Sequence, residues 1–226
     1  MLRLITAALL TLQPGAAEAE PLSAPPGAAL FAAMGSAKAE TVRGCGVDED
    51  ELSRLIGLAP QAFDQDMQGG WRLVARQPGC EPAAAALIEA YLHFAPRLEE
   101  NAFSILRWHA GQMHVSGGDA ETAIAWFHAA KKPGDGPWNA YANATIAFLQ
   151  GDRDAAEAAR AQLATFVPSE EEQEARRRAM AAHPGIRFRE GFVTQPMNLD
   201  VVDGLLACWG QPYAQAYGGC DAEAGD

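Results

Sequence analysis

The chain has 226 residues, a formal net charge of -12 and a hydrophobic fraction of 49%. That length allows one sizeable domain or two small ones, and the apolar content is enough for a packed core. The acidity, with only three lysines (Lys38, Lys131 and Lys132), argues against a nucleic-acid partner, because phosphate backbones repel such a surface. Alanine is abundant and β-branched residues are sparse, which predicts an all-α fold.

The chain opens with Arg3 and a short apolar run, Leu4 to Leu12, broken by Gln13-Pro14-Gly15 and followed by Ala17-Glu18-Ala19. This is the pattern of a secretory signal peptide spanning residues 1–19, cut after Ala19, and it implies a periplasmic or secreted protein. The run is far short of the ~20 residues a membrane span needs, so no transmembrane segment is expected in the mature form. Residues 20–44 are rich in Ala, Pro, Gly and Ser and are expected as a flexible linker, with at most one short helix around Ala28 to Met34.

A single all-α domain is expected over 45–220, followed by a disordered acidic tail, 221–226. Its four cysteines are Cys45, Cys80, Cys208 and Cys220, an even number that suits disulfides in an oxidising compartment. Of the three possible connectivities, the local one, Cys45–Cys80 with Cys208–Cys220, closes the shorter loops and is the one predicted. No CxxC pair is present to suggest a metal site instead.

Asp48 predicts an N-cap for a helix over 49–56, and Gly57 a stop. Phe63 to Arg72 (FDQDMQGGWR) reads as a polar turn around Gly69-Gly70, and a helix starts near Trp71. Further helices are expected at 82–94, 97–116, 119–131, 138–150 and 152–166, with Asp119 and Asp152 as N-caps. Ser169 with Glu172 forms a capping box for a helix to about Ala182, whose exposed face pairs Glu172 with Arg176 and Glu174 with Arg178. Residues 184–197 are expected to be irregular. Asn198 is expected to cap a helix to about Trp209, with Leu199, Val202, Leu205, Leu206 and Trp209 on its buried stripe.

Within this series one pattern occurs twice. WHAGQMHVSGGDAETAIAWFHAA (Trp108 to Ala130) matches YANATIAFLQGDRDAAEAARAQL (Tyr141 to Leu163) at an offset of 33 residues. Gly111, Gly118, Ala123, Phe127 and Ala130 fall at the small, turn and aromatic positions of the tetratricopeptide repeat, which the chain resembles over 104–167. In the second copy Ala144, Gly151 and Ala156 fit, but Arg160 stands where an aromatic is expected. The resemblance implies a right-handed superhelix of α-α hairpins, completed at both ends by non-repeat helices. It also implies a concave binding groove lined by Trp108, His109, Gln112, Trp138, Tyr141 and Thr145.

Signatures of catalysis are lacking: there is no HExxH, GxSxG, P-loop or GxGxxG. Asp64-x-Asp66-x-Gln68 partly matches a calcium loop, but Ala75 stands where the bidentate Glu belongs, so a polar turn is expected there. Asp200 and Asp203 are explained as first-turn acids of a helix. No cofactor or metal is expected. The reading that follows is a non-catalytic exported scaffold binding a protein or peptide partner in the cell envelope. The alternative is a cell-envelope hydrolase on the same helical frame.

Overall fold

A computed structural model describes residues 25–94, 98–185, 188 and 191–220. The expected signal peptide and the tail lie outside the described residues. All regular structure among the described residues is helical, and no helix there is long and apolar enough to cross a membrane. The chain forms two compact units, one ending at Lys131 and the other beginning at Lys132. This boundary falls between the two copies of the repeated pattern, so each copy belongs to its own unit.

The first unit contains α1 (Gly27–Met34), α2 (Ser36–Gly44), α3 (Glu49–Ile56), a π-helical turn (Gln61–Gln65), α4 (Arg72–Ala75), α5 (Glu81–Phe94), α6 (Glu100–Ser116) and α7 (Ala120–Ala129). Residues 25–44, expected as a linker, are therefore helical. The helix breakers of this stretch sit at element boundaries: Pro26 precedes α1, and Gly35, at φ +79°, joins α1 to α2. Between them the alanines favour helix. Leu30, Phe31, Ala39 and Val42 are buried and so anchor both helices to the core.

Asp48 caps α3 by accepting a hydrogen bond from the Glu51 amide at 2.8 Å. The alanine-rich α5 runs through the middle of the unit and packs against α1, α2, α3, α4 and α6. Ala83 to Ala86, Leu87, Ile88 and Tyr91 are all buried; the small alanines let neighbouring helices approach closely. The Cys45–Cys80 disulfide ties the end of α2 to the residue before α5, with Cα atoms 5.9 Å apart.

Helices α6 and α7 form the first repeated hairpin. Gly118, at φ +91°, makes the turn, and Asp119 caps α7 through the Thr122 amide at 3.0 Å. Gly111 is required by packing, since a Cβ there would lie 2.7 Å from the Phe127 ring. That ring is fully buried and also packs against Trp108, with centroids 4.4 Å apart.

The second unit contains α8 (Gly136–Gln150), α9 (Arg153–Ala164), α10 (Glu170–Ala182), α11 (Leu199–Ala207) and α12 (Tyr213–Tyr217). Helices α8 and α9 repeat the hairpin: Gly151 turns at φ +73°, and Asp152 caps α9 through the Ala155 amide at 3.0 Å. Helix α11 packs on both of them, and Cys208–Cys220 closes the unit's end with a Cα separation of 5.5 Å.

Two expectations for this unit are corrected. Arg176 is buried and not on a solvated face, and its Nη1 donates to the carbonyls of Phe192 at 3.1 Å and Gln195 at 2.7 Å. Glu174 pairs with Arg178 at 3.6 Å as expected and also accepts from Arg177 at 3.0 Å, and the capping box of Ser169 and Glu172 forms. Asn198 makes no side-chain cap; it enters α11 in the left-handed region at φ +64°, a conformation asparagine tolerates better than most residues.

Gly111→Ala should lower stability by about 1–2 kcal/mol despite alanine's better helix propensity, because the buried Phe127 ring cannot retreat. Urea denaturation measures this, and Gly111→Ala with Phe127→Leu should recover part of the loss. Peptide mapping without reductant should give Cys45–Cys80 and Cys208–Cys220 as the linked pairs.

Candidate functional site

The residues expected to line a groove occupy the core. Trp108, His109 and Gln112 are buried in the first unit, Tyr141 and Thr145 in the second, and Trp138 is half-buried. The reason is the same in both hairpins. The first helix of each is covered by a helix outside the repeat: α5 lies along α6, and α11 lies on α8. Tyr141 is fully enclosed near Tyr213 and Tyr217 of α12, and burial raises its hydroxyl pKa well above the ordinary value. Thr145 is buried as well.

The polar chemistry of the first unit gathers instead at two places that sequence spacing did not reveal. The first is a buried node built on the segment Phe63 to Arg72. Its centre is Asp64, on the π-helical turn and 3% exposed. Asp64 Oδ1 accepts from the Trp71 indole N–H at 2.9 Å and lies 2.6 Å from His109 Nδ1 on α6. Arg72 Nη1 stands 3.9 Å from the same oxygen, and its guanidinium lies over the Trp71 ring, 4.2 Å from the centroid.

Burial by itself would raise the Asp64 pKa, but His109, Arg72 and the Trp71 hydrogen bond outweigh it and hold the carboxyl below its ordinary value. Burial lowers the Arg72 pKa. Tyr91 stacks on Phe63 at 3.8 Å and donates to the Leu58 carbonyl at 2.7 Å. Burial first, and then Asp64, push its hydroxyl up to about 12.

The backbone is shaped to this arrangement. Gly70, at φ +55°, packs its Cα so close that a Cβ would strike the Phe63 carbonyl. Asp66 does not join Asp64; its Oδ1 accepts from the Gln68 amide at 2.8 Å to close the turn. The partial calcium motif is thus a polar turn, with its first aspartate directed into the core. The node is buried and fixes the loop to α6.

The second place is a cleft of about 220 Å³ between α2, α5 and the C-terminal end of α6. The small or apolar Ala37, Pro82, Ala86 and Gly117 line it beside the charged or titratable Lys38, Glu89, His114 and Asp119. Glu89 is 14% exposed and serves two partners: Oε1 lies 2.7 Å from His114 Nε2, and Oε2 accepts from the Lys38 ammonium. Burial would raise the Glu89 pKa, but these two contacts outweigh it and lower the value. On the far side of the imidazole, His114 Nδ1 faces Asp119 Oδ2 at 3.7 Å, while Asp119 Oδ1 caps α7.

Of the two, only the cleft is open to a ligand. Its four charged residues come from positions 38, 89, 114 and 119, separations with no periodic signature; Asp119 was legible only as a cap. Among the described residues, no group of three or more His, Cys, Asp or Glu side chains could hold a metal ion. Comparisons with protein-family models, with curated proteins and with solved structures find no match.

Asp64→Asn should cost about 3 kcal/mol near neutral pH, since it leaves the buried Arg72 without its counter-charge. The folded Asp64 pKa lies below the unfolded value of about 3.9, so its charge stabilises the fold above that value, and the contribution is lost as pH falls through the depressed folded pKa. Urea midpoints measured across acidic pH should therefore show the gap between parent and variant narrowing as pH drops. A gap that stays constant would refute this assignment.

Proposed function

We propose that the chain is an exported helical-hairpin scaffold that holds a protein or peptide partner in the cell envelope and performs no reaction of its own. The observation that carries this reading is the hairpin built twice on the same Gly-Asp turn. In each case a non-repeat helix packs on the first helix, and the second helix keeps a row of residues exposed to solvent. On α7, Glu121, Ala125 and His128 are exposed; on α9, Asp154, Glu157 and Ala158 are exposed. Rigid helices that show one polar, alanine-spaced face suit contact with another protein.

Two cysteine pairs at disulfide distance support an oxidising compartment, as does the signal-like residues 1–19. The tetratricopeptide resemblance supports partner binding through helix pairs, here with the second helices as the contact face in place of the covered first ones. A second reading draws on one specific observation: Glu89, His114 and Asp119 meet in a cleft, as the acid-base groups of an envelope hydrolase would.

Photo-crosslinkers placed at Ala125 and Ala158 in the living cell should trap a defined envelope protein. That protein, once purified, should bind the mature chain saturably. Failure of any crosslinked species to bind on its own overturns the scaffold reading. Turnover of cell-wall material by the purified chain, abolished by Glu89→Gln, would favour the hydrolase.

A further inference from the structure

The cleft beside α2 holds opposite charges at its two ends, a fixed relay between them and small side chains in its lining. The geometry points to a binding site for a small zwitterion, a free amino acid or a short peptide with both ends unblocked. Its ammonium would sit at Asp119 and His114 and its carboxylate at Lys38. This goes beyond the scaffold reading and stands or falls apart from it.

Size sets the first limit. At about 220 Å³ the cleft lies below the 300–1,000 Å³ typical of drug-sized ligand sites, so only a small molecule fits.

Charge sets the second. A simple anion approaching Lys38 would meet the carboxylates of Glu89 and Asp119. A simple cation approaching Asp119 would meet the Lys38 ammonium. A molecule carrying both charges satisfies both ends, which is how a mixed site discriminates. Lys38 is 53% exposed, and an ammonium has three donors, of which Glu89 takes one. Asp119 is 51% exposed, and its Oδ2 stands beyond hydrogen-bond reach of His114.

The imidazole sharpens the ammonium end. In neutral His114, Nε2–H donates to Glu89, which leaves Nδ1 as an acceptor aimed at another acceptor, Asp119 Oδ2, 3.7 Å away. Two acceptors at that separation leave a donor position between them, which an ammonium group fills with a hydrogen bond to each. Glu89 orients both Lys38 and His114 before any ligand arrives, so little ordering remains to oppose binding.

Calorimetry with the mature chain, using L-Ala-L-Ala as probe, tests this. The dipeptide should bind at millimolar or better affinity, and N-acetylation or C-amidation should each weaken it about tenfold or more, the loss expected for one charge-assisted contact. Asp119→Asn keeps a good N-cap for α7 and should abolish discrimination against the acetylated probe. Lys38→Gln should abolish discrimination against the amide. Equal binding of free and blocked probes, or none by parent protein whose melting transition shows it folded, overturns the proposal. Retained end-selectivity in both variants would do so too.

Discussion

One buried carboxylate sets the arrangement of the first unit. Asp64 draws together the π-helical turn that carries it, the start of α4 through Trp71 and Arg72, and the middle of α6 through His109. Phe63 and Asp64 are adjacent on the π-helical turn and both buried, and Gly70 lets the returning chain pass against the turn's backbone. Burying a carboxylate costs more than one hydrogen bond returns, and here Gln65, Trp71 and His109 bond to it while the Arg72 guanidinium stands beside it. What the node supplies is specificity: it selects which face of α6 meets the loop. Apolar packing alone, being non-directional, leaves that choice open.

The two hairpins show how far a repeat can drift while its turn is kept. Both use a glycine with positive φ followed by an aspartate cap. Their interiors are filled differently. In the first, Gly111 makes room for Phe127, and Ala130 is the small residue one turn on. In the second, Ala144 replaces the glycine, Arg160 replaces the phenylalanine and Leu163 replaces the alanine. Leu163 is fully buried, so apolar volume lost at one position is regained at the next inward-facing one. Arg160 swings outward to a bidentate pair with Asp203 of α11, at 2.7 and 3.2 Å. Both partners of that pair are more than a third exposed, so it adds little stability beyond orienting α11.

What could be read from the sequence follows from how local each determinant is. The caps at Asp48, Asp119, Asp152 and Ser169 act over three residues, and all four form. The helix α5 and the hairpins were legible in periodicity and punctuation. Residues 25–44 were misread because Pro and Gly signalled a linker, although they only bound two helices whose burial depends on a distant core. The Asp64–His109 and Glu89–His114 contacts join residues 45 and 25 positions apart, and nothing in local spacing marks them. The groove residues failed for a related reason: the resemblance describes a repeat with an open face, and only the fold reveals that α5 and α11 cover it.

The two polar places of the first unit are joined by one rigid element. His109 and His114 both lie on α6, five residues apart and therefore about 140° apart around its axis. The first is held by Asp64 in the core, the second by Glu89 in the cleft. A helix rotated by one residue would carry both imidazoles ~100° away from their carboxylates at once. The buried node thus fixes the azimuth of α6, and with it the side on which His114 meets Glu89. Through the buried Asp64, the segment FDQDMQGGWR in this way sets which side of α6 faces a cleft that the segment does not line.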